Sequence, residues 1–455
     1  MMKNTNSKPV IINGINSRGE GISRLEDGRV IFIPGAIPGE QVFVNICFSK
    51  KQYAVGNIEQ IVKPHPKRVS PHCQWFGKCG GCQMQHCSYD LQLELKQQIV
   101  EDAFSRIGHV MPVDPILKCV PSPKQWGYRN KASFPVRHSE KQIRSGFFRK
   151  GSHDLIPIDG CPVLEPELAL IYSQITNLLN NLKLPGYNEK NHSGLLRHII
   201  LRTGSFSKET FICLVLKRQP DSFQMEQIQK MSKILKSRHK NIKGFIVNIN
   251  SSRTNTIIGD RSITIHGKGH LCEYLENRQF QYEGTSFFQV NSYQASNIFR
   301  YAVNEISNRI HNNVLELYSG VGALTVFLAE LAEKITTVED WKSSIESMRQ
   351  NLVLNGINNV TIHAAKAEML LDKLGEETFD TVVMDPPRAG CKKEVIEYIC
   401  RQNIRSIVYI SCNPATLSRD ISMFSECGYR FIKARLFDMF PQTSHVETVA
   451  ILEKL

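Results

Sequence analysis

The chain has 455 residues, 41% of them apolar and 22% charged, with 29 glycines and 20 prolines scattered along it; it exceeds one ordinary core, and roughly 100–200 residues per domain gives two to four domains. No apolar run approaches the roughly 18 residues of a membrane span, and the start MMKNTNSKPV lacks an apolar signal core, so neither a spanning helix nor a secretory leader is expected, and a cytoplasmic location is. Lysine and arginine outnumber the acids by 56 to 43, a net charge of +13, which favours a polyanionic partner through counterion release.

Residues 8 to 62 alternate apolar and polar positions in short runs broken by Gly and Pro. The pattern predicts five short strands and a small β-barrel, with Arg18, Arg24, Arg29, Lys50 and Lys51 in or beside its turns. This stretch resembles a TRAM domain, an OB-like barrel that holds RNA. Next comes PHCQWFGKCGGCQMQHC, which spaces Cys73, Cys79 and Cys82 as C-x5-C-x2-C. The chain has thirteen cysteines, and disulfides rarely persist in the cytosol, so this run asks for a metal or catalytic explanation. Glycine in CGGC accepts dihedrals that let backbone amides turn towards sulfur. Three thiolates need a fourth ligand, and zinc and iron-sulfur clusters both use four cysteines. Cys87 is the near candidate and Cys161, in IPIDGCPVLEP, the distant one.

At this run the chain resembles the RNA 5-methyluridine methyltransferases of the 23S ribosomal type. The resemblance implies a 4Fe-4S cluster on Cys73, Cys79, Cys82 and Cys161, leaving Cys87 to pack as a small hydrophobe. The cluster is expected to be structural, because no step of methyl transfer moves an electron.

The segment YDLQLELKQQIVEDAFSRIG places Leu91, Leu95, Ile99, Phe104 and Ile107 at helical spacing and predicts a helix capped at Gly108. It offers no chemistry of its own. From about 124 to 286 the pattern is mostly β, with helices expected near 165–182 and 222–238. Trp126, Tyr128, Arg129, Lys131, Phe134, Arg137, Arg144, Phe147, Phe148, Arg149 and Lys150 interleave base and ring, a mixture that grips single-stranded RNA.

TSFFQVN, at 285–291, precedes an expected helix at 292–310. NNVLELYSGVGALTVFLAE then reads as an apolar strand, a glycine loop and a helix starting near Gly322, a unit that lets a ligand approach the backbone. The full GxGxxG of dinucleotide sites is missing. KITTVED ends its strand at Glu339, about 20 residues on, where an acid can accept from both ribose hydroxyls. A nucleoside site results, and S-adenosylmethionine is the usual ligand of such a short loop. The remainder alternates: helix 341–355, strand VTIHAA, helix 367–374, strand FDTVVMDPP, helix 392–402, strand IRSIVYISC, helix 414–427, and a closing antiparallel pair, YRFIKARLFD and HVETVAILEK. The fold class is α/β: a doubly wound, Rossmann-like domain with an N-terminal OB-like barrel and a β-rich central domain.

Ser411-Cys412-Asn413-Pro414 joins the last parallel strand to a helix, so Cys412 sits where α/β sheets place ligands and where a thiol can be activated. ELYSGVG, DPPRAG, YISCNPATLSRD and LFDMFPQTSHVET match the same family in order and spacing, so the resemblance covers essentially the whole chain. It implies cofactor contacts from Gln289, Tyr318, Glu339 and Asp385, a nucleophile at Cys412 and a base at Glu447. It also implies three domains: a TRAM barrel at 1–68, a central cluster and RNA-binding domain at 69–90 and 124–286, and a methyltransferase domain at 91–123 and 287–455. Ala323 departs from the Asn that some members carry after the glycine loop, which bears on one cofactor hydrogen bond.

The chemistry follows from uracil. Carbon 5 is a poor nucleophile, so a thiolate first adds at carbon 6, and a base must later take the carbon 5 proton. A carboxylate at Glu447 suits that task if partial burial raises its affinity for a proton. The uridine must leave its stack, at a cost of a few kcal/mol. Asp385 can orient the cofactor or cap the helix after Pro386 and Pro387, and Arg388 can contact phosphate or an acid. The rivals are a transfer-RNA enzyme with the same chemistry and an inactive RNA-binding assembly factor. Cys412, Glu447 and Asp385 together speak against the second.

Overall fold

The structure, a computed structural model, describes residues 8–139, 142–182, 184–307, 312–370, 374 and 377–455. The chain divides into two units, Met1–Gln125 with Pro386–Ile396 and Tyr409–Leu455, and Trp126–Asp385 with Glu397–Val408. Among the described residues no helix is long and apolar enough to cross a membrane.

In the first unit the N-terminal alternation folds as a six-stranded sheet, one strand more than expected. Its order is Val10–Ile11, Gln41–Ser49, Tyr53–Lys63, Val30–Pro34, Glu20–Arg24, Gly14–Ile15. Inward positions such as Ile31, Ile33, Val42, Val44 and Ala54 form one apolar cluster, the period-2 burial that a curled sheet requires. Three register shifts between Gln41–Ser49 and Tyr53–Lys63 bend the longest hairpin.

The helix Tyr89–Ala103 starts at Ser88, whose Oγ accepts the Leu91 N–H at 3.4 Å. Leu91, Leu95 and Ile99 pack with Ile15, Ile37, Met84 and Cys87. The helix ends differently from expectation. Phe104–Gly108 is a π-helical turn, and the left-handed residue is His109. Gly108 is instead required by closeness: a Cβ there would lie 2.3 Å from Ser418 Oγ, the hydroxyl that donates to Ala103 O. The unit also contains the helix Pro414–Glu426 and the antiparallel strands Tyr429–Phe437 and Glu447–Lys454.

The second unit holds a seven-stranded sheet in the order Arg261–Gly267, Ile242–Ile249, Thr210–Leu216, Leu196–Thr203, Lys131–Ser139, Gln142–Phe148, Leu155–Pro157. Its helices are Pro166–Asn181 and Ser222–Arg238, the latter opened by a reciprocal capping box between Asp221 and Gln224. Four parallel strands follow, ordered Val360–Ala364, Lys334–Glu339, Asn313–Leu317, Thr381–Met384. Helices Ser292–Ser307, Ala323–Leu328, Lys342–Leu354 and Lys393–Arg401 fall where the sequence placed them. The expected continuations at 308–310 and 371–373 lie outside the described residues. The strand Ser406–Ser411 carries the chain from this unit back into the first.

Candidate active site

Ser406–Ser411 is buried throughout, and its end is tied into a tight turn. Ser411 Oγ accepts the Asn413 N–H at 3.1 Å and donates to Asn413 O at 3.2 Å. Asn413 caps the next helix, accepting the Ala415 N–H at 3.2 Å, and Pro414 supplies a first helical residue that needs no N–H. Cys412, half-buried, is therefore held just before a helix start, where the helix dipole favours a thiolate.

The DPPRAG segment is bound to that same helix. Asn413 Nδ2 and Thr416 Oγ1 donate to Arg388 O at 2.9 and 3.3 Å. The fully buried carboxylate of Asp420 accepts the Cys391 N–H at 2.8 Å and the Tyr409 hydroxyl at 2.6 Å, and Arg419 Nε donates to its other oxygen at 2.8 Å. Gly390, at φ 78°, has no room for a Cβ, which would lie 2.6 Å from Asp420 Oδ2. Nothing in the local sequence SRD marks Asp420, because a buried clamp has no periodicity.

Glu447 opens its strand opposite Phe437 and is 7% exposed. His445 stands two residues earlier with Nε2 3.4 Å from an Arg388 guanidinium nitrogen. Arg388 thus meets an imidazole in place of the acid that one reading of the sequence allowed.

In the second unit, Tyr318, Gly320 and Gly322 take positive φ values of 62°, 57° and 76°. A Cβ at Gly322 would lie 2.6 Å from Met348 Cγ, so the loop packs directly against the helix Lys342–Leu354. Tyr318 holds its left-handed conformation without a glycine's freedom, a strain of the sort that collects at ligand sites. Glu339 Oε2 accepts the Gly320 N–H at 2.8 Å, while Oε1 accepts those of Asp340 and Trp341 at 3.1 and 2.9 Å. The carboxylate expected to meet a ribose also braces the glycine loop.

Asp385 follows the strand Thr381–Met384, and burial pushes its carboxyl up to about 7. Glu316, 3% exposed within Asn313–Leu317, is lifted by burial to about 8, with the charges of Asp385 and Glu339 adding to the rise and the Thr325 hydroxyl opposing it. Among the described residues its Oε2 has no hydrogen-bond partner. In the sequence Glu316 is marked only as an acid inside the apolar run VLELY.

Gln289 is positioned through its backbone. Asn130 Nδ2 donates to Gln289 O at 3.2 Å and the Asn130 N–H to Val290 O at 2.9 Å. Arg202, fully buried, donates to Ser286 O and, at 2.9 Å, to Phe288 O, with Tyr282 stacked 4.5 Å from its guanidinium. Lys131 Nζ donates to Thr285 O and Ser286 O at 3.1 and 3.3 Å, and burial drops its ammonium to about 7. Lys131 is thereby removed from the expected RNA-gripping set, as are Tyr128 and Phe134, which lie in the core. Arg144, Arg149 and Lys150 do face solvent.

Cys73, Cys79 and Cys82 are half-buried in the first unit, and Cys161, also half-buried, belongs to the second. The Gly81 N–H points at Cys79 Sγ at 3.4 Å, the amide-to-sulfur turn that CGGC predicts. Four thiols suit an iron-sulfur cluster chemically. Among the described residues no group of three His, Cys, Asp or Glu side chains that could hold a metal is found. Cys87 is 3% exposed in the apolar cluster under the helix, and burial pushes its thiol up to about 12.

The parallel strands, the left-handed glycine loop and the acid at the next strand's end define an S-adenosylmethionine-dependent methyltransferase. Residues 88–455 match the family tRNA (Uracil-5-)-methyltransferase, and residues 6–58 match the TRAM domain; the chain belongs to this family of RNA methyltransferases. It is 36% identical, over 98% of its length and 96% of the relative's, to an uncharacterized RNA methyltransferase of Gloeobacter violaceus. A relative of the same description from Clostridium tetani is 35% identical over 99% and 97% of the two chains. Among solved structures, the Pyrococcus abyssi tRNA (uracil-54, C5)-methyltransferase in complex with S-adenosyl-L-homocysteine superposes with a TM-score of 0.75 at 28% identity, covering 98% of this chain and 100% of that one.

Proposed function

We propose that this protein methylates carbon 5 of a uridine in 23S ribosomal RNA through a covalent adduct on Cys412. The observation that carries the reading is the Ser411–Pro414 turn, which fixes a half-buried thiol before a helix N-terminus in the unit that also buries Glu447. S-adenosylmethionine, which Gln289, Tyr318, Glu339 and Asp385 would hold, supplies a methyl group made electrophilic by its sulfonium. Cys412 adds to carbon 6, forming an S–C bond and sending the ring π electrons towards O4. Carbon 5 would then take the methyl group as the methyl–sulfonium bond breaks, its electron pair staying on the sulfur of the departing S-adenosylhomocysteine. Glu447 removes the carbon 5 proton; the freed electron pair restores the double bond and expels the Cys412 thiolate.

RNA containing 5-fluorouridine tests the scheme, because fluorine replaces the proton that Glu447 must remove. A complex surviving denaturation is expected with the wild type and none with Cys412→Ala; methylation by Cys412→Ala overturns the reading. Ribosomal RNA is preferred for the barrel and cysteine run at the N-terminus. Transfer RNA is the second reading, favoured by the description of the matched family. Nucleoside analysis of both RNAs from a deletion strain separates them. A cytoplasmic location accompanies either substrate. The proposal of a 4Fe-4S cluster on Cys73, Cys79, Cys82 and Cys161 rests on thiol chemistry alone; iron and sulfide content against zinc in anaerobically purified protein checks it, and no step above uses it.

A further inference from the structure

Residues 438 to 446 lead into Glu447, and within the first unit this loop is fastened from elements far away in sequence. Lys96 Nζ pairs with the Asp438 carboxylate and donates to Phe440 O at 3.0 Å, both side chains being fully buried. One turn earlier on the same helix, Gln92 Nε2 donates to Gln442 Oε1 at 3.0 Å and to Cys87 O at 3.1 Å, while its Oε1 accepts the Gln442 N–H at 2.9 Å. Gln442 O takes the N–H groups of Gln83 and Met84 at 3.1 and 2.9 Å, and Gln442 itself is left-handed at φ 72°. Ser444 Oγ donates to Ser17 O in a barrel turn at 2.9 Å. Beside it Gly19 leaves no space, since a Cβ there would lie 3.2 Å from Ser444 Cβ.

This polar face is an odd choice for packing. The helix already buries Leu91, Leu95 and Ile99 against the barrel, and leucines at 92 and 96 would fill the other face without burying polar groups. A buried ion pair commonly does no better than apolar residues of the same volume, and a buried amide is tolerated only when its donors and acceptors are met. What polar partners add is selectivity. Apolar contacts tolerate a slide of the loop; the reciprocal Gln92–Gln442 pair accepts one placement of Gln442's backbone and side chain together.

We infer that Gln92 and Lys96 are positioning residues for removal of the carbon 5 proton, holding residues 438 to 446 so that Glu447 meets that proton, with the barrel turn at Ser17 completing the grip. The inference rests on the reaction proposed above. It separates two steps: adduct formation and methyl transfer do not need Glu447, whereas product release does. Loosening the loop therefore leaves the methyl group on RNA that is still bonded to Cys412.

Full-length Gln92→Met and Ser444→Ala, with S-adenosylmethionine carrying a labelled methyl group, are compared with wild type on transcribed 23S ribosomal RNA or a transfer-RNA transcript, whichever the wild type methylates. Turnover of Gln92→Met is expected to fall about ten- to hundredfold, as for a misplaced catalytic group, with Ser444→Ala less affected. Methyl transfer in the first turnover stays within about twofold, the mark of a later step being slowed. Label should collect in a protein–RNA complex that survives denaturation. Unchanged turnover in both variants, or a fall without that complex, overturns the inference; if Gln92→Met does not fold, Ser444→Ala decides alone. A wild type that forms no Cys412 complex with 5-fluorouridine RNA sinks the reaction itself, an outcome distinct from failure of the positioning.

Discussion

The two units treat buried charge differently. In the unit carrying Cys412 and Glu447, buried charges face opposite charges: Lys96 with Asp438, Arg419 with Asp420, and Arg68 with Glu40. In the unit carrying the residues proposed to hold the cofactor, Glu165 also meets a cation, Lys208 at 3.7 Å, but three of the buried charges face backbone dipoles. Arg202 meets the carbonyls of Ser286 and Phe288, Arg197 those of Asn250 and Ser252, and Glu273 the N–H groups of Ser205, Phe206 and Tyr274. An ion pair joins two remote segments at a point, whereas a charge ringed by backbone groups sets the path of a whole loop. The first device suits the role proposed for Glu447, a base that must reach one proton, and the second the role proposed for the loop ending at Gln289.

Removing one member of a pair strands the other, so Lys96→Met should cost about 3–5 kcal/mol of stability. Lys96→Met/Asp438→Leu should recover most of it in urea unfolding; a double variant as weak as the single would break the pairing account. Arg202→Met leaves the Phe288 carbonyl unmet and Ser286 O with only the 3.3 Å bond from Lys131 Nζ, a loss of about 2–3 kcal/mol. Calorimetry should also show weaker S-adenosylmethionine binding, because the loop ending at Gln289 slackens.

Glu316 follows neither pattern: among the described residues its Oε2 has no hydrogen-bond partner. Its carboxyl is protonated in the fold up to about 8 against an ordinary 4.5. Its contribution is therefore complete at acid pH and is lost as pH rises from about 4.5 through about 8. Glu316→Gln cannot ionise and should gain on the order of 2 kcal/mol over wild type at pH 8 and little at pH 4, since relaxation trims the full linkage value. Thermal unfolding at the two pH values reads this directly. The smallest effect is expected for Asp420→Asn, about 1 kcal/mol, because the amide oxygen can still accept from Cys391 or Tyr409. Single-turnover methyl transfer should fall more than stability does; equal falls would make Asp420 a packing residue only.

Periodicity was enough to read the barrel, the parallel strands and most helix limits, since burial on one face leaves its mark every second or every fourth residue. Cys412 and the glycine loop were legible because turn and cap chemistry is local. Gln92 and Lys96 were not: in sequence they sit on an ordinary amphipathic helix, and their partners lie 350 and 342 residues away. Phe134 escapes the sequence because an alternating strand does not say which of its faces meets solvent, and Lys131 because its carbonyl partners lie 154 and 155 residues away.

By itself the sequence determined the α/β class, the family and the chemical groups available, because these depend on local pattern and residue type. Only the tertiary structure decided which charges are paired, which loops they hold, and that the loop before Glu447 is fastened by a helix from the other end of the chain. Such contacts are made by folding between segments whose separation along the chain carries no information about their distance in space.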